Sequence, residues 1–306
     1  RAAGRPIALP ATGTSFRRWS RGLTEAARRP ERAGELDHWT RVLDPSAPSL
    51  GERPLDPALD TEATARDLTR MLPPGDTEPL LTTVPAAYHA GVEDVLLAAL
   101  ALALHRERPA PWVVTLEGHG RDEDLVPGAD LSRTVGWFTS EYPVALGLAP
   151  GTAPGDALKQ VKERVRAVPG IGYGLLRHLD PGTAKVLADL PEPTIAFNYL
   201  GRFEAGEDDT AAPWRPAADS WGGGADDAMP LTAVLELNAV TEDHPDGPRL
   251  AATWTWASGV LPEARVRRLV DAWFDALADL TAAVGSGGHT PSDLALVSLS
   301  QTDIDD

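Results

Sequence analysis

An unbroken apolar run from Val95 to Leu104 constrains the fold of this chain more than any other feature of its sequence. The run lies inside a predicted helix from Gly91 to His105, and a helix that is apolar on every side must be buried on every side. It has about half of the ~20 residues that a membrane span requires, and it ends in the charged sequence His105-Arg106-Glu107-Arg108. We therefore expect a helix in the core of a globular protein, and no membrane partner.

Periodicities elsewhere in the chain predict a mixture of helices and strands. Helices are expected from Ser15 as an N-cap, at 30–42, from Asp76 as a cap, at 153–167 and at 262–284. Strands are expected at 61–70, 113–117, 194–198, 231–240 and 250–256, the last two adjacent and antiparallel. Residues 1–14 and 204–228 have the composition of loops. Together these elements indicate an α/β (α+β) fold with helices packed on a sheet.

Composition narrows the possible functions. The chain has 45 acidic and 28 basic residues, a net charge of −17, and its basic residues form only short groups such as Arg28–Arg29 and Arg265–Arg268. We therefore expect no nucleic-acid partner. The absence of cysteine excludes disulfides, thiolate metal sites and a cysteine nucleophile, and it fits a cytoplasmic protein. The seven histidines lack paired ligand spacing, so no metal site is predicted.

The segment from Glu117 to Asp122 is the first candidate site. A carboxylate and an imidazole lie two residues apart, flanked by glycines, at the exit of the predicted strand 113–117. Glycine lets the backbone approach a ligand closely, and loops at strand ends often carry sites. The alternative is a solvated Glu117, or one paired with Arg121, beside a structural His119.

A second candidate runs from Arg133 to Ser140 and continues into Glu141 and Tyr142. Trp137 and Phe138, next to a glycine, suggest a wall against which a narrow ligand packs. The simpler interpretation places both aromatic side chains in the core. Glu141 is expected to be an exposed turn charge rather than a second catalytic carboxylate.

Two further segments are rich in glycine or neutral hydrogen-bond donors. The spacing of glycines at 169–174 does not match a dinucleotide fingerprint and predicts a rigid turn before a helix. At 197–203, Asn198 and Tyr199 follow a predicted strand, and such donors can steady a developing oxyanion. The alternative for this segment is a strand terminus capped by polar side chains.

Taken in order, these segments resemble the motif series of nonribosomal peptide synthetase epimerization domains, which are members of the condensation-domain superfamily. The matching segments are Asp94-Val95-Leu96-Leu97, Glu117 to Arg121, 133–139 with 142–143, 169–174, 197–201 and the tail 289–293. The complete Glu-Gly-His-Gly-Arg and Phe-Asn-Tyr-Leu-Gly sequences favour the epimerizing branch over peptide-bond-forming relatives. Small departures are Asp122, where the family usually has Glu, and Arg202, where Gln is common.

The resemblance implies a chloramphenicol-acetyltransferase-like two-lobed fold. Residues 1–76 would be the end of the N-terminal lobe and the connection between lobes, 77–285 the C-terminal lobe, and 286–306 a linker to the next module. The family's His-His-x-x-x-Asp motif, which supplies the second catalytic group, has no counterpart, because no two histidines are adjacent. We expect the chain to start after that motif and to be inactive in isolation.

The activity implied is inversion at the Cα of an aminoacyl or peptidyl thioester. The substrate would be presented on the 4'-phosphopantetheine of a peptidyl carrier protein, with neighbouring synthetase modules as further partners and no cofactor bound directly. Glu117 would exchange the proton on one face of Cα, while Asn198 and Tyr199 would bind the enolate oxygen or place the substrate. The substrate and pantetheine tunnel would be lined by Gly118, His119, Gly120, Arg121, Trp137, Thr139 and Tyr142.

Within this resemblance His119 would support the loop, and Gly118 and Gly120 would let the arm pass. Two other functions stay open at this point. One is a condensing acyltransferase of the same superfamily, which joins two carrier-bound substrates. The other is a non-catalytic fragment that docks a carrier protein, an interpretation favoured by the missing second motif.

Overall fold

The computed structural model describes residues 12–44, 46–204, 225–294 and 300–305. The predicted loops at 1–14 and 204–228 fall largely outside these ranges. The helices are α1 (Phe16–Ala27), α2 (Pro30–Ala33), α3 (Leu36–Val42), α4 (Pro74–Leu81), α5 (Thr83–Tyr88), α6 (Val92–Glu107), α7 (Pro154–Arg166), α8 (Gly172–His178), α9 (Pro181–Ala188), α10 (Glu263–Ala282) and α11 (Gln301–Asp305). The strands are β1 (Ala65–Leu72), β2 (Val113–Gly118), β3 (Ser140–Ala145), β4 (Ile195–Glu204), β5 (Leu235–His244) and β6 (Gly247–Ala257).

The chain divides into two compact units, each built from separated stretches of sequence. The first unit contains 1–44, 117–142 and 169–191, and the second contains 45–116, 143–168 and 192–306. The division into lobes and a linker at residues 76 and 285 stays a prediction.

The strands in the described ranges form one six-stranded sheet with the order β1-β6-β5-β4-β2-β3. Strand β6 is antiparallel to both β1 and β5, whereas β4 is parallel to both β5 and β2. The mixed α/β class is confirmed, as is the antiparallel pairing of the last two predicted strands. Because parallel neighbours need crossover connections, residues far apart in sequence meet at the centre of this sheet.

Helix α6 confirms the prediction drawn from the apolar run. Its residues from Asp94 to Leu104 are all buried, and it packs against α7 and α10. The indole of Trp273 on α10 donates a hydrogen bond to the Leu96 carbonyl at 3.1 Å and meets Trp254 of β6 edge to face. Helix α10 therefore joins the core helix to the sheet.

No single helix within the described residues has both the length and the apolar composition to cross a membrane. Helices Pro74–Tyr88 and Val92–Glu107 satisfy these criteria only as a pair, which is bent by 95°.

The first unit has a core of its own, and α1 supplies much of it. The Ser15 side chain accepts a hydrogen bond from the Arg18 backbone at 3.2 Å, so the predicted N-cap is confirmed. The buried residues of this core come from α1, the 117–142 segment, and α8 with the residue before it, and they are Trp19, Ala26, Ala27, Leu125, Val126, Leu131, Phe138, Ile171 and Leu175.

Three predicted elements have different boundaries in the structure. The helix expected at 30–42 is broken at Gly34, a poor helix former, into α2 and α3. Helix α4 begins at Pro74, so Asp76 lies in its first turn instead of capping it. Strand β1 starts at Ala65 because residues 62–64 form a 3₁₀ turn.

A fully buried lysine fixes the region after α10. Lys162 of α7 has no exposed side-chain surface, and its ammonium donates to the Tyr88 carbonyl at 2.7 Å and to Asp293 at 2.8 Å. Arg166 binds the other oxygen of Asp293 at 2.6 Å. Burial acts to raise the pKa of Asp293, but the hydrogen bonds from Lys162 and Arg166 outweigh it and hold the pKa well below its usual range. The described start of the predicted linker is therefore packed on α7.

Removing the Asp293 charge tests whether its ion pair with Lys162 stabilises the fold. Asp293→Asn leaves the Lys162 ammonium buried without its counter-ion, and we expect the free energy of unfolding to fall by about 3 to 5 kcal/mol. The matched control is Asp271→Asn, which breaks the exposed Arg70–Asp271 pair and should change little. Urea denaturation followed by circular dichroism measures both variants; equal effects would contradict the anchoring role.

Glu93, in the first turn of α6, gives a pH-dependent prediction. Burial, assisted by the neighbouring Asp94 carboxylate, raises the pKa of Glu93 to about 7. Between about pH 4.5 and 7 the folded chain holds a proton that the unfolded chain releases, so this group lowers stability as pH rises. Glu93→Gln lacks that titration and should gain thermal stability over the natural chain from about pH 5 to about pH 8.

The control for this titration is Glu78→Gln, which removes the same charge from an exposed position on α4. Its melting temperature should differ from that of the natural chain by a constant amount across the same pH range. A constant difference for Glu93→Gln as well would contradict the prediction.

Candidate functional site

Glu117 lies at the end of β2, as the sequence predicts. The parallel register of β2 and β4 pairs Leu116 with Phe197. Glu117 is exposed and Asn198 is half-buried.

The backbone conformation and the close packing at position 120 require glycine there. Its φ of 63° lies in the left-handed region, and a Cβ there would collide with the Phe138 carbonyl oxygen. A Cβ on Gly118 would lie 3.1 Å from the Ser140 hydroxyl and 3.2 Å from the Tyr142 ring. The 117–142 segment therefore folds closely on itself at both glycines. The role of these glycines in passage of a substrate arm stays a prediction.

Arg121 and His119 hold the same loop. The Arg121 guanidinium donates to the carbonyls of Leu131 at 2.6 Å and Thr134 at 3.1 Å, and it lies 4.0 Å from the centre of the Phe138 ring. His119 accepts the Arg121 backbone N–H at its Nδ1 atom, at 3.0 Å. This contact fits the supporting role predicted for His119, and it leaves Nε2 for other partners.

The two neighbouring aromatic residues have opposite environments. Phe138 is 7% exposed and packs edge to face on Phe16, whereas Trp137 is 83% exposed and Val135 is 94% exposed. The core interpretation is therefore right for Phe138 and wrong for Trp137, because Phe138 occupies the inward position beneath Arg121. Glu141 is exposed as predicted, but it lies in β3 and not in a turn. Of the other predicted tunnel residues, Thr139 is exposed and Tyr142 half-buried.

The segment 197–203 lies inside β4, so its prediction as a strand end is wrong. The register with β5 shifts between Tyr199 and Arg202, and Gly201 has a φ of 96°. A bulge of this kind bends a strand and re-aims its side chains. The Tyr199 hydroxyl lies 3.0 Å from that of buried Thr241, and either oxygen can donate. Tyr199 is thereby held firmly in place.

The glycines at 169–174 form the predicted turn and helix start. Gly170, with a φ of 55°, precedes α8. A Cβ on Gly172 would collide with the carboxylate of Glu35, which is paired with Arg32. Burial raises the pKa of Glu35 against the opposing effect of Arg32. Gly172 thus leaves room for a carboxylate of the protein itself.

A group of arginines on α1 is not apparent as a basic run in the sequence. Arg17, Arg18 and Arg21 line one cleft although they do not form a continuous basic run. Their spacing at positions i, i+1 and i+4 of a predicted helix is the signal that identifies them. For metal binding, the described ranges contain no group of three or more histidine, cysteine, aspartate or glutamate residues arranged to hold an ion.

Comparison with known proteins identifies the family. A model of the family described as Condensation domain matches residues 2–219. The chain belongs to the condensation-domain family. It is 37% identical over 99% of its length to a linear gramicidin synthase of Brevibacillus parabrevis, and 32% identical over 99% to tyrocidine synthase 1 of the same organism. It spans only 4% and 29% of these relatives, respectively.

The solved structures agree with the family assignment. The epimerization domain from the third module of tyrocidine synthetase B, TycB3(E), matches with a TM-score of 0.77 and 29% identity, over 93% of this chain and 63% of that one. A condensation domain from the enacyloxin polyketide synthase matches with a TM-score of 0.59 at 17% identity, which shows the fold alone. The fold is thus chloramphenicol-acetyltransferase-like, and the chain is a condensation-superfamily domain of the nonribosomal peptide synthetase type.

Substituting Gly120 tests how closely the 117–142 segment packs on itself. Gly120→Ala adds a Cβ that collides with the Phe138 carbonyl, whereas Gly128→Ala, at a similar φ of 70°, adds one with 3.8 Å of clearance from Arg18. Both variants share the cost of a left-handed alanine, about 1 kcal/mol, so the difference between them reports the collision. We expect Gly120→Ala to have a clearly lower melting temperature than Gly128→Ala; equal values would contradict the close packing.

Proposed function

We propose that this domain epimerizes the Cα of an aminoacyl or peptidyl thioester from L to D in nonribosomal peptide synthesis. The observation that carries the proposal is the match to TycB3(E), with higher identity and a higher TM-score than the match to the enacyloxin condensation domain. The intact Glu-Gly-His-Gly-Arg and Phe-Asn-Tyr-Leu-Gly sequences support the same branch.

Glu117 is the proposed proton-exchanging group. Inversion removes a proton from one face of Cα and returns a proton to the other, so two groups must flank the carbon. Glu117 lies near the end of strand β2, next to a loop that the Arg121 guanidinium holds by hydrogen bonds, and a fixed position reduces the freedom that a catalytic group must lose. The second group is proposed to come from the His-His-x-x-x-Asp motif typical of the family.

Asn198 and Tyr199 are proposed to bind the enolate oxygen or to place the substrate. An amide N–H and a phenol O–H can both donate to an oxygen that gains negative charge in the transition state. The Thr241 hydroxyl supports this role, because when Thr241 donates to Tyr199 the phenolic proton is left for the substrate.

The proposed tunnel for the substrate and the pantetheine arm includes Gly118, His119, Gly120, Arg121, Trp137, Thr139 and Tyr142. Exposed Trp137 and Thr139 are available for contact with an incoming arm. The proposed partners are a peptidyl carrier protein and the neighbouring modules, with the substrate presented on 4'-phosphopantetheine and no cofactor bound directly.

The test uses a synthetase module in which this chain is joined to a His-His-x-x-x-Asp segment, loaded with an L-aminoacyl carrier in D₂O. Glu117→Gln removes the acid–base group, and we expect deuterium incorporation at Cα to slow by about 10²- to 10⁴-fold. The matched control is Glu141→Gln, another exposed glutamate, which should exchange at the normal rate. Mass spectrometry and chiral chromatography of the released product measure both.

Four results bear on the proposal. A mixture of L and D product supports epimerization, whereas a dipeptide formed from two loaded carriers would establish the condensing alternative. Normal deuterium exchange in Glu117→Gln would remove Glu117 from the mechanism. The 306-residue chain alone is expected to be inactive, and racemization by it would show that no second motif is needed.

A further inference from the structure

The charge of the chain is unevenly distributed. Its overall net charge is −17, but residues 15–32 contain many more arginines than glutamates. This stretch covers α1 and the start of α2 in the first unit. A strongly basic surface on an acidic protein attracts an anion to one place while the rest of the surface repels it.

Part of this basic surface is a concave site. Arg17, Arg18, Arg21 and Glu25 of α1 line a cleft of about 450 Å³, whose other wall is formed by Val126 and Pro127. The volume is in the range typical of sites for small ligands. With three guanidinium groups and one carboxylate, the lining of the cleft has a net positive charge.

The two walls of the cleft are held at a fixed separation. The Arg18 guanidinium donates to the Pro127 carbonyl at 3.4 Å, and Arg29, just beyond the other end of the helix, donates to the Leu125 carbonyl at 3.1 Å. Between them Gly22 lies directly against Val126, where a Cβ would collide with the valine side chain. The helix cannot move closer to the loop, and the two arginines limit its movement away.

Arg17 and Arg21 lie one helical turn apart on this wall, and Arg17 is exposed. Each guanidinium presents planar N–H donors that match two oxygens of a phosphate. Two such groups, carried one helical turn apart on one wall, can donate to different oxygens of a single tetrahedral oxyanion.

We propose that the cleft between α1 and Val126–Pro127 binds a phosphate group, and that the phosphate is the one that joins the pantetheine arm to its carrier. The assignment of this phosphate to the pantetheine arm rests on the proposed function. The binding of a phosphate by the arginines does not. The volume leaves room for the part of the arm next to the phosphate. Arg17 and Arg21 are the binding residues, and Arg18 and Gly22 position the walls.

Titration of the 306-residue chain with 4'-phosphopantetheine and with pantetheine, which differ only in the phosphate, tests the proposal by calorimetry. We expect the phosphorylated ligand to bind more tightly, with an advantage that shrinks at high salt. Arg17→Gln and Arg21→Gln should each weaken phosphopantetheine binding by about tenfold or more and leave pantetheine binding unchanged. The matched control is Arg28→Gln, which removes the same charge from the C-cap of α1 outside the cleft lining and should stay within about twofold of the natural chain.

A second experiment distinguishes the source of the phosphate. A carrier protein bearing the arm should lose affinity for Arg17→Gln and Arg21→Gln, and the same carrier without the arm should not. Equal affinity for the two small ligands, or an equal loss in Arg28→Gln, would overturn the phosphate site without affecting the epimerization proposal. If the intact module makes dipeptide instead of D product, the proposed function fails and a phosphate-dependent affinity in this titration still stands.

Discussion

The site depends on the close contact between Gly120 and Phe138 in the 117–142 segment. The Phe138 carbonyl occupies the space that a side chain at position 120 would need, and its ring is covered by the Arg121 guanidinium. Arg121 also donates hydrogen bonds to the carbonyls of Leu131 and Thr134. The Arg121 guanidinium and the backbone of Gly120 both pack on Phe138, and together these contacts hold the loop after Glu117 in place.

A second constraint is the charge buried behind the core helix. Lys162 is fully buried, and such a charge is stable only if its donors are satisfied, here by the Tyr88 carbonyl and Asp293. Asp293 belongs to a tail that the sequence alone presents as a polar linker. The ion pair therefore packs the start of this tail against α7 as part of the fold.

The distribution of charge separates two kinds of surface. Acidic residues dominate the chain, while arginines of α1 gather beside Val126 and Pro127 in a cleft with braced walls. Glu117 and this cleft wall belong to the same segment of the first unit. In the proposed function the segment thus supplies both the proton-exchanging carboxylate and one wall of the phosphate site.

The sequence by itself determined the mixed α/β class, the buried helix α6, the antiparallel pair β5–β6 and the family motifs, because these depend on local periodicity and on short runs of residue types. It did not determine that Trp137 is exposed while Phe138 is buried, that 197–203 lies within a bulged strand, or that the tail is anchored by Lys162. Those outcomes depend on which distant residues meet. Phe138 is buried because it packs against Arg121 and Phe16. Strand β4 continues through 197–203 because it pairs with β5, and the tail is held because Asp293 binds Lys162 of α7. Pairings between distant residues leave no periodic signal in a single sequence, so only the tertiary structure decided them.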